Sequence, residues 1–462
     1  MKMDKSHIFR EYDIRGIFEK DLNQDIVEKI GFALGKLLKD KNETSICIGF
    51  DARSHSKILF DWLSTGLALQ DIKIYDLGLI PTPVAYFATF DSDLKVQNSI
   101  MITGSHNPKE YNGFKITLFG KPFYGQEIQK LKNSISLLVP LQTSRAQIQA
   151  TQTLQNYINF LTQHFQALKN FPLKIALDCG NGVAGIGIIP ILKNLDIDFV
   201  TLYAEPDGTF PNHHPDPSEE ENLHDLKELM KAQNIPIGLA FDGDADRIAL
   251  LTSNHSYKGD ELAILYAREI ASQIAPNRPI IIGEVKCSQV MYDECNKLGT
   301  SVMYKTGHSN LKVKLKELNA SLAAEMSGHI FFNDRYFGYD DAIYAGLRAL
   351  ELFLNKSVEE VEASIFSLPK LYSTAEEKIP TKEDQKFQII QKLTNDLKNP
   401  PSNFPKILNL ITIDGIRIIF EEGWGLVRAS NTTPVLVTRF EAKSEAKLQE
   451  YKEKTLALIH LD

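Results

Sequence analysis

Residues 99–119 read SIMITGSHNPKEYNGFKITLF. An apolar run, Ser99 to Ile102, stops at Thr103-Gly104. A hydroxyl, an imidazole, an amide and a proline follow at Ser105, His106, Asn107 and Pro108, and a second strand-like run opens at Phe114. Taken alone, TGSHNP is either an ordinary turn, since Gly, Asn and Pro are turn formers, or a loop that holds Ser105 out to react. A hydrolase elbow is excluded: G-x-S-x-G needs glycine at 103 and 107, which hold Thr and Asn.

The same strand–loop–strand pattern recurs twice. IGLAF (237–241) runs into DGDADR and then IALL; SLAA (321–324) runs into EMSGH and then IFF. Two further β-branched runs precede each: 45–50 and 72–75, 174–177 and 199–202, 279–282 and 301–304. Helix-like stretches, such as 59–69, fall between them. Strands alternating with helices predict α/β layers with mostly parallel, mixed sheets. Three units would then present one loop each at equivalent places, and the loops can share a cleft if the units pack in an arc. Past residue 366 the pattern changes to β-strands and tight turns, with a final helix expected over 444–459. The expected divisions are 1–150, 151–253, 254–366 and 367–462, with a helical linker over 141–157.

A chain of 462 residues exceeds one hydrophobic core. Its 43% hydrophobic and 24% charged residues suit a folded globular protein. A net charge of -8 argues against nucleic acid or an anionic membrane as a general partner. The four cysteines show no CxxC spacing, no signal-peptide core precedes them, and no run reaches a membrane span of about 18 apolar residues. A cytoplasmic protein is expected.

The loops carry distinct chemistry. Asp242, Asp244 and Asp246 alternate after an apolar strand, so in an extended loop they share a side. Three close carboxylates repel unless a cation sits among them, and hard oxygen donors suit Mg²⁺ or Ca²⁺. An EF-hand is excluded, because its sixth position holds Arg247 and its twelfth Ser253. The alternative is a solvated acidic turn. Gly180-x-Gly182-x-x-Gly185, with Glu205 further on, fits a dinucleotide fingerprint. The matching bends of the other units lack it, so a tight strand-to-helix turn is the simpler reading. Glu325, Ser327 and His329, with Lys305 and His308 from KTGHS, are groups that vicinal sugar hydroxyls need. RASNTTP offers Arg428, Ser430, Asn431, Thr432 and Thr433: a metal-free phosphate cradle or a polar hairpin turn.

Together, in this order and at this spacing from FREYDIRG to RASNTTP, these stretches resemble the α-D-phosphohexomutase superfamily, in particular its bacterial phosphomannomutase/phosphoglucomutase branch. The resemblance implies a heart-shaped protein of three related α/β domains and a C-terminal α+β domain of TATA-binding-protein type. It implies an enzyme, an intramolecular phosphotransferase that moves phosphate between C1 and C6 of a hexose through a phosphoserine and a hexose 1,6-bisphosphate. Ser105 would carry the phosphate, and Asp242, Asp244 and Asp246 would hold one Mg²⁺ with it. Lys115 would be a general acid/base, with His106, Arg15, Arg247 and His308 around the transferring group. Tyr12, Lys305, Glu325, Ser327 and His329 would bind the sugar, and Arg428, Ser430, Asn431 and Thr432 the distal phosphate. Hexose phosphates, and no nucleic acid or membrane, are the expected partners of a monomer. Met326 stands where the phosphoglucosamine branch usually has Gln, which favours a plain hexose; phosphoglucosamine mutase and a non-catalytic sugar-phosphate binder remain the alternatives. Phe50 stands where the family often has Arg, so one salt bridge beside the retained Arg53 is expected to be missing.

Overall fold

The computed structural model describes residues 6–135, 146–431 and 433–459. The first three units have one topology. Ser45–Phe50 pairs in parallel with Lys73–Leu79 on one side and Ser99–Ile102 on the other, and Ser99–Ile102 pairs antiparallel with Tyr111–Leu118. In the second unit Ile175–Asp178 takes the central place, flanked by Phe199–Leu202 and Ile237–Phe241, with Ile248–Thr252 antiparallel to the latter. In the third, Ile280–Glu284 lies between Thr300–Tyr304 and Leu322–Ala324, and Ile330–Phe332 closes the hairpin. The strand order is thus 2-1-3-4 each time, with the last strand reversed.

This topology explains where the chemistry lies. Parallel neighbours need helical crossovers, but antiparallel neighbours need only a short loop. Each polar stretch is the loop of the hairpin formed by the third and fourth strands of its unit. Ser99–Ile102, Ile175–Asp178 and Ile237–Phe241 are buried along their whole length, as expected for sheets covered by helices. One apolar core, with residues from Cys47 to Ile365, runs through all three units.

The fourth body is an antiparallel sheet in the order Tyr372–Ser373, Val435–Ala442, Gly423–Ala429, Ile416–Phe420, Ile407–Ile411, with Glu377–Pro380 also pairing to Val435–Ala442. Helices Lys386–Asp396 and Glu445–Leu456 supply Leu393, Leu448 and Tyr451 to its core. RASNTTP joins two adjacent antiparallel strands here too.

Two details differ from expectation. The 141–157 linker is not one helix: 141–145 lie outside the described residues, Ile148–Ala150 is an edge strand on Lys73–Leu79, and a helix begins only at Thr153. The second sheet runs on to Ser256–Tyr257, beyond residue 253. Arg53 has its own ion pair with Asp51, at 3.2 Å, while Phe50 packs edge-on against Phe60.

Candidate active site

The Ser105 loop is built from behind by residues 51–56. Asp51 accepts from the Thr103 hydroxyl at 2.8 Å, Gly104 N at 3.1 Å and the Ser56 hydroxyl at 2.6 Å. Arg53, 2% exposed, donates to the carbonyls of Ser105, Asn107, Pro108 and Tyr111 at 2.6–3.0 Å. A Cβ on Gly104 would fall 2.3 Å from Arg53 Nε, so this close approach requires glycine. Ser105 itself has φ 48°, a left-handed conformation that a non-glycine residue adopts at a cost. Its Oγ lies 2.9 Å from Asp242 Oδ2 and 3.1 Å from His106 Nδ1. Burial, reinforced by Arg247, pushes the His106 pKa well below its usual value, so the ring is neutral.

Asp242, Asp244 and Asp246 are all fully buried, with one oxygen of each inside a 4.8 Å cluster. Gly182 lets this loop approach the 179–183 turn: a Cβ there would meet the Gly243 carbonyl at 2.5 Å. The glycine motif is thus a packing feature followed by helix Ala184–Asn194. Asp244 Oδ1 and Asp246 Oδ1 are buried without a hydrogen-bond partner. Hard, unpaired carboxylate oxygens beside a serine hydroxyl fit a divalent cation such as Mg²⁺. Burial and mutual repulsion push Asp242 well above the usual carboxylate range, while Lys115 overcomes burial to hold Asp244 far below it.

Lys115 stands on strand Tyr111–Leu118, its ammonium 2.7 Å from Asp244 and in contact with Asp246. Against burial, these carboxylates push its pKa above the usual lysine value. In this arrangement Lys115 stands as a positive charge against two of the three aspartates.

Arg247 Nε is 2.9 Å from His329 Nε2, and its Nη1 3.6 Å from Asp216. Arg15 donates to Asp13 at 2.6 Å and reaches the Gly104 carbonyl at 3.5 Å. Glu325 accepts from Gly307 N at 3.1 Å, with the Ser327 hydroxyl 3.5 Å away. In the fourth body Arg428 is held by Asp414 at 3.1 Å, and Ser430 Oγ lies 2.9 Å from Thr433 Oγ1. Tyr12 joins three bodies: its hydroxyl donates to the Thr306 carbonyl at 2.8 Å and accepts from Asn431 at 2.5 Å.

Most of these groups line one cavity of about 500 Å³; Asp242, Asp244 and Asp246 lie behind its walls, in contact with Ser105 and Lys115. It brings together Ser105, His106, Lys115, Arg15, Arg247, His308, Tyr12, Glu325, Ser327, His329, Arg428, Ser430 and Asn431. Lys305 is not among its walls; it is exposed, near Glu11. Thr432 lies outside the described residues. Sequence reading missed Lys286, Arg10, Lys378 and Asp216, which also line the cavity. Lys286 follows the first strand of the third unit, at the bend matching Ala52 and Gly180; that equivalence was the signal available.

Three hairpin loops bearing serine, aspartates and a sugar-type triad, closed by a fourth with arginine, define a phosphohexomutase-type fold and site. Family descriptions match in chain order: phosphoglucomutase/phosphomannomutase alpha/beta/alpha domain I over 6–137, domain II over 155–255, domain III over 258–370 and the C-terminal domain over 376–458. The chain is 40% identical over 447 residues to phosphomannomutase/phosphoglucomutase of Pseudomonas aeruginosa, covering 96% of this chain and 94% of that one. It is 38% identical to a phosphoglucomutase of Neisseria meningitidis, covering 98% and 96%. A crystal structure of a phosphoglucomutase/phosphomannomutase family protein from Burkholderia thailandensis superposes with a TM-score of 0.88 at 36% identity, covering 98% and 96%. The chain belongs to the phosphoglucomutase/phosphomannomutase family.

Proposed function

We propose that this enzyme interconverts the 1- and 6-phosphates of mannose and glucose through phosphorylated Ser105. The observation that carries the reading is Ser105 Oγ, 2.9 Å from Asp242, in one cavity with Arg428 of the fourth body. One wall can react while the opposite wall holds a second phosphate.

Phosphoryl transfer needs positioning and charge neutralisation above all. The phosphoryl group on Ser105 passes to the free hydroxyl of a hexose monophosphate: the bond from Ser105 Oγ to phosphorus breaks, one to the sugar oxygen forms, and the hydroxyl proton leaves to a neighbouring base. The bisphosphate turns end for end and returns its other phosphoryl group to Ser105, whose proton has His106 Nδ1 and Asp242 within reach. Arg247, Arg15 and Lys115 supply positive charge near the reacting oxygens. Asp242, Asp244 and Asp246 would hold Mg²⁺, which supplies charge neutralisation to the phosphoryl group when bound. Arg428, Ser430, Asn431 and Thr432 grip the distal phosphate, and Glu325 and Ser327 the sugar hydroxyls. A catalytic amount of hexose 1,6-bisphosphate primes the serine, and the enzyme works as a monomer.

A coupled assay on mannose 1-phosphate, glucose 1-phosphate and glucosamine 1-phosphate tests this. Turnover of the first two and little of the third is expected; turnover of glucosamine 1-phosphate alone would assign the phosphoglucosamine reaction instead.

A further inference from the structure

Three consecutive carbonyls of the aspartate loop accept hydrogen bonds from three separate parts of the chain. Val183 N donates to Gly243 at 3.1 Å, Thr82 N to Asp244 at 2.9 Å and Ala342 N to Ala245 at 3.2 Å. Each donor stands where a helix begins: Ala184–Asn194 in the second unit, Thr82–Phe87 in the first and Ala342–Glu351 in the third. The loop therefore takes its shape from all three units. Val183 and Ala342 have no side-chain donor. Thr82 has one: it is fully buried, and its hydroxyl donates to Asp244 Oδ2 at 2.5 Å.

The two oxygens of Asp244 are thus held unequally. Oδ2 accepts from Thr82 Oγ1 and, at 2.7 Å, from Lys115 Nζ. Oδ1 is buried with no partner. A hydroxyl this close to a carboxylate makes a charge-assisted bond, stronger than a neutral one. The lysine ammonium rides on a flexible stem and can follow either oxygen. Threonine is stiff at χ1, and Thr82 is also fixed to Asp244 through its own backbone. Resting on the reading of the three aspartates as metal ligands, we propose that Thr82 is a positioning residue that clamps Asp244 by one oxygen and so presents the other, bare, to a divalent cation. The first unit, which carries Ser105 and Lys115, thereby sets the orientation of a ligand that belongs to the second.

The hydroxyl is what the clamp needs. Thr82→Val keeps the branched shape and the backbone N–H but puts a methyl where the hydroxyl was. Only Lys115 then holds Oδ2, the carboxylate can swing, and a cation must order it on binding. Thr82→Ser keeps the hydroxyl and gives up the methyl.

The test uses the full chain stripped of metal, with Mn²⁺ alone as the probe and its free fraction read by electron paramagnetic resonance. Only the site lost in Asp242→Asn is counted. Thr82→Val should raise the Kd of that site about 10–100-fold, and Thr82→Ser should leave it near the wild-type value. In the mutase assay the Mg²⁺ concentration for half-maximal turnover should rise with the Kd. Equal Kd values in wild type and Thr82→Val would overturn the proposal, whatever the variant does to Tm. So would a serine variant as weak as the valine one, since the fit of the side chain and not its hydroxyl would then be what matters. If Thr82→Val does not fold, Thr82→Ala against Thr82→Ser makes the same comparison: alanine weak and serine near wild type upholds the clamp, and equal values overturn it. A wild-type chain that binds no Mn²⁺ at this site would overturn the metal reading itself, and the clamp with it. A chain that binds Mn²⁺ there but lacks mutase activity would overturn the proposed function, and the Kd values would still decide the role of Thr82.

Discussion

At the scale of single residues, Ser105 and Arg53 divide the work. Ser105 holds a left-handed backbone that presents its hydroxyl, and Arg53 gathers four carbonyls that keep it there. Ser105→Ala keeps the fold and should lower kcat by three orders of magnitude or roughly more. Intact-protein mass spectrometry after incubation with glucose 1,6-bisphosphate should show a phosphate adduct on the wild type only, and an active alanine variant would refute the phosphoserine. Arg53→Lys replaces a planar fork with one point charge. It leaves buried carbonyls without donors and should cost about 3–5 kcal/mol of stability, read by denaturant titration, along with most of the activity. Ser105 and the aspartates were legible in the sequence because their chemistry is local: a hydroxyl and three carboxylates standing in polar loops between apolar strands. Arg53 was not, because its partners lie 52 to 58 residues away, and nothing in FDARSHS announces a bond to residue 111.

Among the elements, most strands were legible to within two residues, because buried parallel strands write continuous β-branched runs; the run at 72–75 continues to Leu79, where polar residues hide it. The 141–157 stretch misled because its Gln-rich composition suits a helix, whereas Ile148–Ala150 gains more by completing a sheet edge. Pairing of this kind overrides local propensity. The end of strand Ile280–Glu284 carries a second device. Glu284 is buried, accepting from the Thr306 hydroxyl and, at 3.2 Å, from Met326 N, so it ties the sugar loop to the 305–308 turn. Burial pushes its pKa from 4.5 up to about 7. The folded state therefore binds the proton more tightly than the unfolded chain. This group's contribution is most favourable below the unfolded value and is lost as pH rises through about 7. Between about pH 5 and pH 8 the wild-type Tm should fall by a few degrees more than that of Glu284→Gln. Parallel curves by differential scanning fluorimetry would remove Glu284 as the cause.

Over the whole molecule, three units share one core, and the fourth is joined to the third by hydrogen bonds and a small apolar cluster of Val285, Trp424 and Leu426. Arg417, fully buried, donates to the carbonyls of Val285 and Cys287 at 2.6 and 2.8 Å and lies 3.6 Å over the Trp424 ring. Arg417→Ala removes this clamp and leaves carbonyls unpaired, at a cost of about 3–5 kcal/mol. Calorimetry should then resolve an early transition for residues 372–459 from a later one for the rest; a single unshifted transition would show that the clamp does not couple them. The threefold repeat was legible and foretold a shared cleft. How the fourth body faces it was not, since Tyr12 meets Thr306 and Asn431 across some 300 and 400 positions. That tyrosine has a kinetic consequence. Its two hydrogen bonds are each worth about 1 kcal/mol net, so thermal motion can undo the fastening without an external energy source. On the proposed reaction, a guest that must somersault before it departs is retained by a race between its own rotation and the lifetime of the contacts that include this phenol, and weakening them would release half-finished bisphosphate into solution.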